Sequence, residues 1–191
     1  MSLKIPTRRQ QRAIDVSLGL WRRTRWAIGV ALAVHVVGLI CGIAVGVGYG
    51  SGAVFDASAQ SRSAWEFFTH NLAAALPSYL GFVTLGLSAF GSLLVQSFLI
   101  GSSVGAATHT LPLGRIVLSL APHGLIEMPG VVLAGGAGLL APSWVVRHFR
   151  GGALLTFSDL CDLLMLFVVS VVLTGIAAML EANVTAALIA R

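Results

Sequence analysis

The feature that most constrains this chain is the length of its uncharged segments. No Asp, Glu, Lys or Arg lies between Arg25 and Asp56, and none lies in the 48 residues between Glu66 and Arg115. An α-helix needs about 20 apolar residues to cross the hydrocarbon core of a bilayer. With 57% hydrophobic and 10% charged residues, the composition also lies far from that of soluble domains. We therefore expect an all-α fold, a polytopic transmembrane helical bundle.

The second uncharged segment is too long for one span. At about 1.5 Å per residue its helix would extend about 70 Å, more than twice the ~30 Å hydrocarbon core. A four-span arrangement with a re-entrant segment has the same charge bias, but length favours five because re-entrant backbone must be shielded by protein. We expect a turn at Gly86, Ser88, Gly91 and Ser92, and a single transmembrane domain over residues 26–191. The expected spans lie near residues 26–47, 69–89, 92–111, 116–141 and 160–182.

The first 25 residues carry seven of the twelve cations of the chain. Basic residues beside an apolar helix stay on the cytoplasmic side and attract anionic lipid headgroups. We therefore predict a cytoplasmic N-terminus, a basic cytoplasmic or interfacial segment at residues 1–25, and multi-pass insertion in the plasma membrane. Membrane topology explains these cations better than nucleic-acid binding does, and no nucleic-acid partner is expected.

Small residues are spaced for close helix packing in two of the expected spans. Gly38, Gly42 and Gly46 recur at intervals of four, so they share one helix face. Such a face lets another helix approach closely, either within the chain or from a second copy in a homodimer. Gly135 and Gly138 belong to a second glycine-rich stretch, and we expect them to pack in the same way.

The stretch PHGLIE, residues 122–127, places two ionisable side chains inside an apolar segment. His123 and Glu127 are four residues apart, so on a continuous helix they lie on one face and can contact each other. Pro122 cannot donate a backbone hydrogen bond and is expected to break or start the helix, while Gly124 is expected to let a neighbour approach. Ionisable groups at membrane depth are paired, protonated or exposed to a wet cavity. The motif is therefore the candidate functional site.

Three roles are open for His123 and Glu127. They could form a polar clamp between helices, or serve as proton-relay groups of a proton- or ion-coupled channel or carrier. They could also bind the metal of an intramembrane hydrolase, which would need a third protein ligand such as His70, His109 or His35. The sequence has no His-Glu-x-x-His motif and no nucleophile elbow with a paired base. We therefore favour the clamp and predict no catalytic residues, no metal, no cofactor and no enzymatic activity.

Local roles are expected for the remaining polar residues. Asp159 and Asp162 precede the last apolar run, where carboxylates at a helix N-terminus are stabilised by the helix dipole. His70 and Asn71 are expected to anchor the start of the second span. Arg147 is expected in a cytoplasmic loop, in contact with lipid headgroups.

The chain resembles the stage II sporulation protein M family of integral membrane proteins. The resemblance is carried by PHGLIEMPGVVLAGGAGL at residues 122–139, with support from His70 and Asn71 and from the small-residue spacing of QSFLIGSSVG at 96–105. It implies a membrane scaffold or transporter-associated subunit, acting through protein partners in cell-envelope remodelling or in peptide maturation and export. The implied partners, besides the lipid bilayer, are membrane or envelope proteins such as ABC-transporter components or cell-wall hydrolases.

Overall fold

The computed structural model describes residues 8–49 and 63–185, and it describes side chains for 19–49 and 63–183. Residues 1–7 of the expected basic segment lie outside the described residues. The described residues are mostly helical and contain no strand. The α-helices among them are α1 (Arg8–Tyr49), α2 (Ala64–Tyr79), α3 (Leu87–Ala107), α4 (Leu113–Gly138), α5 (Ala141–Phe149) and α6 (Phe157–Leu180). A 3₁₀ turn (Leu80–Thr84) extends α2, and a π-helical turn (Glu181–Thr185) extends α6.

Four helical segments of the described part are long and apolar enough to cross a membrane. They are Gly19–Tyr49, Leu87–Ala107, Leu113–Phe149 and Phe157–Asn183. The α2 helix has 16 residues, or about 24 Å, and its 3₁₀ extension adds about 10 Å. The expectation of an all-α membrane protein is confirmed. Besides the four long segments, α2 is a shorter apolar helix, which brings the number of apolar helices to five among the described residues.

Side-chain caps determine where α2 and α6 begin. Ser63 and Glu66 form a capping box before α2, and Thr156 and Asp159 form one before α6. In each box the hydroxyl accepts a hydrogen bond from the backbone of the acidic residue, whose carboxylate accepts one from the backbone of the hydroxyl residue. Both helices start a few residues before the expected spans, because a cap lies at the polar edge of an apolar run.

The turn between α2 and α3 lies at Leu85 and Gly86, and Gly86 is the first of the residues expected to turn. Their φ angles are 53° and 90°, in the left-handed region that glycine adopts freely. Gly91 and Ser92 instead lie inside α3. This helix therefore begins earlier than the span expected at 92–111.

The α1 and α3 helices pack through complementary small residues, which form the α1–α3 seam. Its members are Gly38, Gly42 and Gly46 of α1 and Ser97, Gly101 and Gly105 of α3. A Cβ added at Gly42 would lie 2.9 Å from the backbone nitrogen of Ser102, and one added at Gly101 would lie 2.9 Å from that of Ile43. The backbones of α1 and α3 therefore approach too closely at these glycines for any side chain to fit between them. The contact is made within the chain, so this glycine face is not available to a second copy.

Two ion pairs hold α1 and α5 against the start of α6. Arg23 donates from Nε and Nη2 to the two carboxylate oxygens of Asp162, at 2.6 and 2.7 Å. Arg147 donates from Nη1 and Nη2 to the carboxylate of Asp159, at 3.1 and 2.5 Å. Arg147 is therefore paired with a carboxylate of the same chain, although it was expected to contact lipid headgroups from a basic loop. We refer to the end of the bundle that holds these pairs as the basic end.

Candidate functional site

The α4 helix carries the PHGLIE motif without a break. Pro122 and Pro129 both lie inside the helix, which differs from the expectation that Pro122 breaks or starts it. Each proline removes the backbone N–H that would bond the carbonyl four residues earlier, at Leu118 and at Leu125. Membrane helices tolerate such losses because neighbouring helices and local adjustments satisfy the freed groups. The motif therefore lies in one continuous helix, on which His123 and Glu127 share a face.

The structure brings His123 and Glu127 together with a third residue, Glu181 of the π-helical turn. One potential ligand atom of each residue, an imidazole nitrogen or a carboxylate oxygen, lies within 4.8 Å of the other two. His123 is 9% exposed, and the two glutamates are half-buried. We name these three residues the His-Glu-Glu cluster. It is the one group of three such side chains found in the described ranges.

A buried hydrogen bond joins α6 to α4 on the helix face that leads to the motif. The Ser170 hydroxyl donates to the carbonyl of Gly130 in α4 at 2.7 Å, while the Thr174 hydroxyl donates within α6, to the carbonyl of Ser170 at 3.0 Å. The helices run in opposite directions, so moving back along α4 from Gly130 towards Glu127 and His123 and forward along α6 from Ser170 towards Glu181 leads to the same end of the bundle. This contact and the cluster together form the α4–α6 seam.

The glycine-rich end of α4 packs closely on α3. A Cβ added at Gly135 would lie 2.8 Å from Cγ of Leu93, and one added at Gly138 would lie 2.8 Å from Cβ of Ala89. The expected packing role fits this geometry. Gly124 differs from expectation, because no atom of the described residues lies within 4 Å of a Cβ added there.

The other histidines that were considered as third ligands lie elsewhere. His35 is buried in the α1–α3 seam, with Nδ1 2.7 Å from the hydroxyl oxygen of Ser97. His109 places Nε2 2.9 Å from the carbonyl oxygen of Val47. His70 is exposed on α2, beside the partly buried Asn71, and it does not belong to the cluster.

Glu181 is the site residue that sequence reasoning missed, although a signal for it exists. The buried small residues of α6 are Ser170, Thr174, Ala177 and Ala178. Their spacing of three and four residues describes one helix face, and Glu181 continues it. The pattern predicts the face that Glu181 occupies, but it does not predict which helix covers that face.

The chemistry of the cluster follows from its composition. Two carboxylates at close range repel each other when both are ionised, and burial disfavours their charged forms further. A proton, a cationic side chain or a metal ion would offset this repulsion. An imidazole beside two carboxylates can therefore bind a cation, relay a proton or hydrogen-bond two helices together.

The fold and the cluster define a polytopic α-helical membrane protein with an ionisable group held between two of its helices. The family described as Stage II sporulation protein M matches residues 26–186, and the chain belongs to this family. It is also 32% identical over 123 residues to a Methanocaldococcus jannaschii protein described as "Uncharacterized protein MJ0793", a match that covers 63% of this chain and 69% of the relative. No solved structure matches the chain.

Proposed function

We propose that this protein is an integral membrane subunit that acts through protein partners, as a scaffold or a transporter-associated component. The observation that carries the proposal is the distribution of polarity. Polar side chains such as those of His123, Asp159, Asp162, Ser170 and Thr174 are buried in the bundle, while many large apolar side chains on the helices are exposed. Such faces suit lipid and the helices of other membrane proteins.

The partner class that we propose is supported by the family resemblance and by the short described connections between helices. The described connections at 85–86, 108–112, 139–140 and 150–156 offer little surface to a soluble partner. We therefore propose membrane or envelope proteins as partners, with ABC-transporter components or cell-wall hydrolases as the first to test. The processes that this would serve are peptide maturation and export or cell-envelope remodelling, without nucleic acid. A homodimer remains part of the proposal, through a surface other than the α1–α3 seam.

The orientation that we propose puts the basic end in the cytoplasm of a plasma-membrane protein. Arg22, Arg23 and Arg25 belong to the same end as Arg147 and Arg150, because the two ion pairs join α1 and α5 to the start of α6. Positive residues near helix ends favour the cytoplasmic side.

Cysteine labelling in cells tests this orientation. After replacement of Cys41 and Cys161 by alanine, a His148→Cys variant should be labelled by an impermeant maleimide only after permeabilisation. A Thr110→Cys variant, at the opposite end, should be labelled in intact cells. The reverse pattern would reject a cytoplasmic basic end.

The partner proposal is tested by recovery of candidate partners with the tagged full-length protein. The probes are the transporter or hydrolase proteins encoded beside this gene, co-expressed with the protein. If the cluster clamps α4 in place, His123→Gln and Glu127→Gln should reduce both partner recovery and cellular function. His70→Gln, the same change at an exposed position on α2, should leave both unchanged. Full recovery of the partner with lost function would argue against the clamp.

A second candidate function is a proton- or ion-coupled channel or carrier. The observation that favours it is the second carboxylate, Glu181, beside His123 and Glu127. Carboxylates and histidines inside a bundle are the usual groups of proton pathways. Protein in proteoliposomes should then show a proton or cation flux that Glu127→Gln abolishes. A flux that is absent, or equal in the variant, would reject this function.

A further inference from the structure

We infer that the His-Glu-Glu cluster is a binding site for a divalent transition-metal ion of the zinc class, with His123, Glu127 and Glu181 as its protein ligands. The inference stands on the geometry of the cluster and does not depend on the partners proposed above. It assigns to Glu181 a role as the third ligand, whose absence was the reason to expect no metal from the sequence.

The number and type of donors fit such an ion. Zinc sites with an open position have three protein ligands, drawn from histidine nitrogens and carboxylate oxygens as well as thiolates. Calcium and magnesium prefer oxygen donors alone and larger numbers of them. An imidazole nitrogen shifts the preference towards zinc and its neighbours, and among these zinc binds more tightly than manganese or iron(II) to a given site.

The spacing along α4 is the one that metal sites on helices use. Two ligands at i and i+4 project from one face, as the two histidines of His-Glu-x-x-His do. His123 and Glu127 have this spacing, and Glu181 approaches from α6. Donor atoms around a tetrahedral zinc ion lie about 3.3 Å apart when the bonds are about 2.0 Å long. The cluster atoms lie within 4.8 Å of one another, so rotation of the two glutamate side chains can close the site.

The local backbone supports the same assignment. Glu181 is the first residue of the π-helical turn Glu181–Thr185, and single π turns in helices are frequently found at functional sites. Nearer the basic end, the Ser170 hydroxyl donates to the carbonyl of Gly130 at 2.7 Å and joins α6 to α4. Ligands from two helices are thus held in register before an ion binds.

Charge also favours a cation here. Two carboxylates share a bundle interior with an imidazole, and a divalent ion would neutralise both at once. A bound ion would link α4 to α6 by coordinate bonds. We therefore expect the metal to stabilise the fold as well as to occupy the site.

The test uses full-length protein purified in detergent through a tag without histidines. The protein is stripped with EDTA, equilibrated with zinc sulfate in a chelator-buffered series and measured by mass spectrometry of the metal. About one zinc per chain is expected, together with a zinc-dependent rise in the unfolding temperature. Glu181→Gln and Glu127→Gln should weaken zinc binding at least tenfold, since each removes one charged ligand without changing its size. His70→Gln and Glu66→Gln should bind as the parent protein does.

Two results would overturn the inference. One is a parent protein that takes up less than about a tenth of an equivalent of zinc across the series, where a three-ligand site should bind about one ion per chain. The other is a Glu181→Gln variant that keeps the parent affinity. If Glu181→Gln does not fold, Glu181→His keeps three ligands and should still bind zinc, and a folded Glu181→His protein without zinc would reject the site. Because no partner is present in these measurements, their failure would leave the proposed scaffold function untouched.

Discussion

The α1–α3 seam and the α4–α6 seam are both built from small residues, but they differ in what lies between the helices. In the α1–α3 seam, glycines bring backbone against backbone, and the histidine within it, His35, is hydrogen-bonded to Ser97. In the α4–α6 seam, the Ser170 hydroxyl bonds α6 to α4, and the same two helices also hold two carboxylates and an imidazole close together.

The difference between the two seams indicates which residues serve packing and which could serve a function. Close glycine packing stabilises a membrane bundle through dispersion contacts and weak hydrogen bonds, and it needs no ionisable group. Carboxylates at membrane depth are costly, so their presence favours a use other than packing. Substitutions in the α1–α3 seam should therefore lower stability, whereas substitutions in the cluster should alter binding more than stability.

The largest expected effect is that of Gly42→Ala in the α1–α3 seam. The new Cβ would lie 2.9 Å from the carbonyl carbon of Phe98, so the two helices must separate. We expect the free energy of unfolding to fall by about 2–3 kcal/mol, measured by steric trapping or reversible denaturation in detergent. Gly48→Ala is the matched control on the same helix, because no described atom lies within 4 Å of its added Cβ. Equal stability of the two variants would contradict the close packing of this seam.

The next effect concerns Arg23 and Asp162, which join the two seams at the basic end. The Asp162 side chain is 6% exposed and that of Arg23 is 46% exposed. Arg23→Gln leaves a buried carboxylate without its partner and should cost about 1–3 kcal/mol. Asp162→Asn should cost less, because the half-exposed Arg23 can turn to the headgroups. The double variant should lose less stability than the sum of the single variants, and additive losses would show that the pair is not coupled.

A feature of this protein could be predicted from the sequence where it is determined by residues close together along the chain. The membrane class follows from uncharged segments, and the turn follows from Gly86, whose φ of 90° glycine accepts readily. The pairing of His123 with Glu127 follows from their spacing on one helix. The predicted positions of the helix ends were less accurate, because caps such as Thr156 with Asp159 start a helix before its apolar run begins.

The long-range contacts could not be predicted in the same way. Arg23 and Asp162 are 139 positions apart, and Glu181 lies on a different helix from Glu127. Periodicity indicates the face of a helix on which a residue lies, but the partner of that face is decided by the packing of the whole bundle. The sequence therefore predicted two members of the cluster and missed the third.

A smaller effect is expected for Ser170→Ala, which removes the hydroxyl bond from α6 to Gly130. Interhelical hydrogen bonds in membranes are worth about 0.6–2 kcal/mol, and we expect a loss near the lower value. The control is Ser103→Ala, since the exposed Ser103 bonds to the carbonyl of Leu99 in its own helix. If Ser170 sets the register of the α4–α6 seam, its variant should also weaken zinc binding, whereas Ser103→Ala should not. If Ser170→Ala lowers stability but leaves the zinc affinity unchanged, the Ser170–Gly130 hydrogen bond does not position the ligands of the cluster.

The smallest effect on stability is expected for Glu127→Gln in metal-free protein. Removing one of two neighbouring negative charges relieves repulsion, and the amide of glutamine fills nearly the same space, so the unfolding free energy should change by less than about 0.5 kcal/mol. Zinc should then stabilise the parent protein more than the variant at the same free concentration, because a ligand that binds only the folded state raises its stability by an amount that increases with its affinity. Thermal unfolding of both proteins, with EDTA and with zinc, distinguishes the two seams directly. A large loss of unfolding free energy in the metal-free variant would instead show that Glu127, like Gly42, contributes mainly to helix packing.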